Sequence, residues 1–78
     1  MRACVFLADG FEEIEGLTVV DILRRAGVET RTVSVTEQRL VTGSHQIPVT
    51  ADSCIKETDF SEAELLVLPG GMPGTRYL

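Results

Sequence analysis

The chain predicts an α/β fold built on a parallel sheet, and three observations carry that prediction. Apolar residues run unbroken from Ala3 to Ala8 and again from Leu65 to Leu68, which suits strands covered on both faces. Between them, Ile14, Leu17, Val19, Val20, Ile22, Leu23 and Ala26 mark out a broad helical face. The first run breaks at Asp9-Gly10 and releases Glu12, Glu13 and Glu15 into the positive end of that helix, so strand, turn and helix form a βα unit. Ligands of open α/β sheets gather at the carboxyl ends of the strands, which puts Asp9 to Glu15 at the rim where an active site forms.

In chain order, Arg2 to Ala8 is the first strand and Asp9-Gly10 its turn. A helix follows from Glu12 or Glu13 to Ala26, with Arg24 and Arg25 at its negative end and Gly27 where a left-handed cap is expected. Its wide apolar face suits burial against the sheet and either a second subunit or neighbouring loops. Val28 to Val35 alternates as a second strand does. The pieces Arg39-Leu40-Val41 and Gln46-Ile47-Pro48-Val49 flank Thr42-Gly43-Ser44-His45, whose composition is that of a hairpin turn, and Pro48 confines its piece to an edge. The polar stretch from Ala51 to Glu64 reads as a loop with a short helical turn near Asp59 to Glu62. After Leu68, Pro69-Gly70-Gly71-Met72-Pro73-Gly74 ends a second strand at the same rim, and Thr75-Arg76-Tyr77-Leu78 resembles a helix opening.

Length and charge bound the rest. A chain of 78 residues is one domain at most and too short for a complete doubly wound fold. A hydrophobic fraction of 44% and a charged fraction of 24% argue against disorder. The formal charge of -5 repels phosphate backbones and excludes nucleic acid as a partner. No apolar run approaches membrane-spanning length, so no membrane partner is expected. Cys4 and Cys54 have neither metal-ligand spacing nor a disulfide framework around them, so they read as free thiols of a cytoplasmic protein, and no metal or cofactor is expected. His45 reads as a solvated hairpin residue, because nothing near it in sequence could orient an imidazole.

Three motifs in order, Ala8-Asp9-Gly10-Phe11-Glu12-Glu13-Ile14-Glu15, Arg24-Arg25-Ala26-Gly27 and Leu68-Pro69-Gly70-Gly71, resemble the ThiJ/PfpI, or protein-deglycase-like, family over all 78 residues. The resemblance implies a flavodoxin-like parallel-sheet sandwich, of which this chain matches the amino-terminal half: βα units plus a small β-hairpin. It also implies a cysteine on a strained strand-to-helix elbow, outside this chain, which neither Cys4 nor Cys54 replaces. Glu15 matches the glutamate that touches that thiol, and Gly70 and Gly71 match the backbone amides of an oxyanion site. Read from the residues alone, Glu15 is a helix-end carboxylate stabilised by the dipole, and the glycines form a turn that needs positive φ. Family members form dimers in which this helix contributes to the interface, so a homodimer is expected. Arg25 then either completes the helix end in solvent or reaches the partner's active-site mouth.

The function implied is cysteine-dependent chemistry on a small-molecule carbonyl substrate or its adduct, as a glyoxalase, deglycase or amidase. The competing reading within the family is a non-catalytic oxidative-stress sensor or chaperone whose cysteine becomes a sulfinate. A label linking some members to thiazole phosphate biosynthesis finds neither support nor refutation in these residues. A phosphoacceptor receiver needs an aspartate where this chain has Pro69-Gly70-Gly71, and a dinucleotide binder needs a glycine-rich loop after the first strand, so both are excluded.

Overall fold

A computed structural model of the chain describes residues 1–69. Strand β1 (Arg2–Leu7) leads through Asp9-Gly10 into helix α1 (Glu13–Arg25), and β2 (Glu29–Ser34) returns alongside β1. A hairpin of β3 (Leu40–Thr42) and β4 (Pro48–Thr50) follows, then β5 (Ser53–Cys54) and β6 (Leu65–Val67). The main sheet has the order β5-β2-β1-β6 and every pairing in it is parallel. Ala3 faces Thr30 on one side and Leu65 on the other, so β1 is the central strand. The hairpin forms its own antiparallel ribbon, with Thr42 opposite Pro48.

The helix begins and ends where its side chains can satisfy its backbone. Glu12 caps it with extended φ and ψ, its carboxylate accepting the Ile14 N–H at 3.1 Å. At the other end Gly27 adopts φ +81°, the left-handed conformation that glycine takes without strain. Gly16 lies against the Phe11 ring, where an added Cβ would come within 3.0 Å of the ring edge.

The core gathers Val5 and Leu7 from β1, Phe11 from the loop, Val20 from α1, and Val41 and Ala51 from the hairpin region, with Val19, Leu23, Val49 and Val67 packed around them. Helix and hairpin therefore share one face of the sheet. On the opposite face Cys4 is buried and Phe6 stacks obliquely on Phe60, ring centroids 5.6 Å apart.

Two expectations need correction and one is met. Cys54 belongs to a short buried strand paired with β2 and not to a loop, because its register with Ser34 completes that strand's free edge. The short turn read near Asp59 to Glu62 is present as a single turn, closed by the Ala63 N–H on the Phe60 carbonyl at 3.1 Å. Asp59 does cap that turn, accepting the Ser61 N–H at 2.9 Å. Leu66 and Leu68 are exposed rather than buried, since β6 is the outermost strand and nothing among the described residues covers it.

Candidate active site

The parallel pairing of β1 with β6 brings the ends of both strands to one rim. From β1 the chain passes through Asp9 to Phe11 into the first turn of α1, and from β6 it reaches Pro69. Glu15 lies in that first turn and is exposed. Gly70, Gly71 and the expected helix opening at Thr75 to Leu78 lie outside the described residues. Arg25 stands at the far end of α1, solvent-exposed, with its guanidinium 3.0 Å from Asp21 one turn earlier.

The hairpin is docked onto this rim by bonds from backbone N–H groups. Gly10 donates to the Thr42 carbonyl at 2.8 Å, Ser44 to the Phe11 carbonyl at 2.8 Å, and Thr42 to Asp9 Oδ1 at 3.0 Å. Within the turn Gly43 donates to the Ile47 carbonyl at 3.1 Å, while Gln46 takes φ 63°, a left-handed conformation uncommon for a residue with a side chain.

Into that turn reaches Glu13, only 4% exposed. Its Oε2 accepts the backbone N–H groups of His45 at 2.8 Å and Ile47 at 3.3 Å, and its Oε1 lies 2.8 Å from His45 Nδ1 and 3.4 Å from Ser44 Oγ. Burial pushes the carboxyl pKa up, but the hydrogen bonds from the His45 ring and from backbone N–H groups outweigh it and bring it down to about 2. An ionised carboxylate only accepts, so the contact requires a proton on Nδ1 and leaves Nε2 as the free ring nitrogen. The His45 pKa is raised by that hydrogen bond, together with the charges of Glu12 and Glu13.

Glu12, Glu13 and His45 bring donor atoms within 4.8 Å of one another. Both Glu13 oxygens are already engaged by N–H donors beside the positive end of α1, so the arrangement suits a shared proton better than a cation. His45 is exposed in the hairpin turn, as read from the sequence, but its ring does have an orienting group, 32 residues earlier in the chain. Periodicity could not single out Glu13 from Glu12 and Glu15, because a carboxylate in a first helical turn looks the same whether it faces solvent or a loop.

A profile of the DJ-1/PfpI family matches residues 1–78. The chain belongs to the DJ-1/PfpI family. Curated relatives agree: it is 37% identical to Protein DJ-1 homolog B of Arabidopsis thaliana over 99% of its own length and 18% of the relative's. It is 34% identical to a deglycase of Thermococcus kodakarensis over 91% of this chain and 42% of that protein. Among solved structures, oxidized DJ-1 of Toxoplasma gondii superposes with a TM-score of 0.93 at 36% identity, covering 97% of this chain and 41% of the other. DJ-1 of Schizosaccharomyces pombe gives 0.92 at 29% identity, over 100% and 45%. The chain therefore has the flavodoxin-like architecture of DJ-1/PfpI proteins and spans less than half the length of these relatives.

Proposed function

We propose that the chain supplies the glutamate and oxyanion side of a cysteine-dependent site acting on small reactive carbonyls or their adducts, in the manner of a glyoxalase or deglycase, with amidase chemistry as the related possibility. The observation that supports this is the adjacent parallel pairing of β1 and β6, which brings the end of β1, followed by the turn and the first helical residues with Glu15, to the same rim as the end of β6. The nucleophile comes from the part of the relatives that this chain does not span, since Cys4 and Cys54 are both buried within strands. In this reading the thiolate attacks the carbonyl carbon and Glu15 transfers a proton to the oxygen. The N–H groups of Gly70 and Gly71 meanwhile hold the developing negative charge.

Two further parts of the proposal concern setting. Ile14 and Ile22 are 75% and 57% exposed on α1, an apolar surface suited to a second copy in a homodimer, with Arg25 on the same helix near the partner's site mouth. Two thiols that remain unpaired fit the cytoplasm. Among the described residues no helix is long and apolar enough to cross a membrane.

Methylglyoxal turnover by the full-length protein and its Glu15→Ala variant tests the assignment. Turnover lost in the variant supports it. A full-length protein that shows no turnover, yet changes mass under peroxide, replaces it with the oxidation-sensor reading.

A further inference from the structure

We propose that His45 positions the substrate's carbonyl oxygen at the mouth of this site, its imidazole aimed by the buried Glu13 carboxylate so that Nε2 is presented at the rim carrying Glu15. The inference rests on the carbonyl-processing reading above. Three observations lead to it. His45 is fixed twice by one carboxylate, through its backbone N–H and through Nδ1, each at 2.8 Å. Its side chain is nonetheless 64% exposed, so the held ring faces outward. Its Nδ1 also lies 3.8 Å from Glu12, the cap of the helix whose third residue is Glu15, so ring and Glu15 border the same helical turn.

A buried carboxylate that holds one imidazole nitrogen fixes the tautomer and the work of the other nitrogen. The charged groups acting on this ring are Glu12 and Glu13 from α1, while Asp9, in the preceding loop, is engaged by the Thr42 N–H and Ser44 is neutral. Both glutamates favour the imidazolium, in which Nε2 carries a proton and donates to a carbonyl oxygen. In the neutral ring the proton stays on Nδ1, and Nε2 can only accept. A carbonyl substrate is therefore held better below the His45 pKa than above it.

The test uses the full-length protein with methylglyoxal as probe, following KM and kcat against pH for wild type, His45→Gln and His45→Ala. For His45→Ala the expected result is a KM rise of roughly three- to tenfold, the worth of one net hydrogen bond, with kcat within about twofold. The rise of wild-type KM with pH disappears in both variants, and His45→Gln, whose amide still donates, recovers part of the loss. Nitrogen NMR of the wild-type ring above its pKa shows the Nδ1–H tautomer, which Glu13→Gln converts to Nε2–H. An unchanged KM and pH profile in His45→Ala, or an Nε2–H tautomer in wild type, overturns the proposal while leaving the site reading intact. Absence of any turnover by wild type removes both.

Discussion

A single carboxylate, that of Glu13, holds His45 by its backbone and by its ring, with both contacts at 2.8 Å across 32 residues of sequence. That one buried group ties the hairpin's turn to the helix, beside the bonds that Asp9, Gly10 and Phe11 make with Thr42 and Ser44.

Replacing Glu13 separates its two roles. Glu13→Ala leaves the N–H groups of His45 and Ile47 facing a void, and buried donors without partners are costly. The expected effect in the full-length protein is a fall in melting temperature on the order of 5 °C. Glu13→Gln is milder, since its amide oxygen still accepts from the backbone while its NH2 donates to a His45 ring that has changed tautomer. Thermal unfolding of the two variants gives the order, and equal losses contradict the account.

The pair also sets a pH window. Glu13 has its pKa depressed from 4.5 to about 2, so its contribution is fully present above pH 4.5 and is lost as pH falls through about 2. His45 has its pKa raised from 6.5, so its contribution is fully present below pH 6.5 and is lost as pH rises through the elevated value. The two overlap from about pH 4.5 to 6.5, where hydrogen-exchange protection of the His45 and Ile47 amides is greatest. Protection that rises steadily above pH 7, after correction for the intrinsic rate, is incompatible with this pairing.

Gly43 is constrained by its neighbour and not by its own backbone. A Cβ there would lie 2.6 Å from Glu13 Cγ, and the carboxylate cannot swing aside without abandoning its donors. Gly43→Ala should therefore mimic Glu13→Ala in stability and in the loss of His45 tautomer preference. In Glu13→Ala the same glycine substitution should be nearly neutral, a coupling that a double-mutant cycle measures.

The two cysteines are shielded. Burial pushes the Cys4 thiol pKa up, with Arg31 opposing only in part, and Cys54 is buried in β5. Alkylation of both by iodoacetamide is expected to be slow in the folded protein and fast once it unfolds. The 78-residue chain by itself should then show no methylglyoxal turnover. Measurable turnover by a chain of verified mass would place a nucleophile among residues taken here as structural.

The apolar runs announced β1 and β6, and the glutamates followed by Gly27 announced α1, because long-period hydrophobic patterns and helix ends are local signals. The hairpin was equally legible from Thr42-Gly43-Ser44-His45 and Pro48. Strand β5 was not, since Ser53 and Cys54 are buried by a neighbour 20 residues away and carry no periodicity of their own. The same limit hid the candidate site's second half. Glu15 could be matched to a motif, whereas Glu13 and His45 acquire meaning only when the hairpin folds back over α1. The wide apolar face of α1 is covered only in part among the described residues, for Val20 is buried while Ile14 and Ile22 are exposed.

The central position of β1 has a consequence for the order of synthesis. Its first partner, opposite Ala3, is Thr30, but the strand on its other flank begins only at Leu65. At about 5–20 residues per second, a ribosome leaves that flank without its pairing strand for roughly 3 to 12 s after Ala3 is made. During that interval an apolar strand of the nascent chain presents an open row of backbone donors and acceptors, which makes this chain a natural client for whatever shields emerging polypeptide.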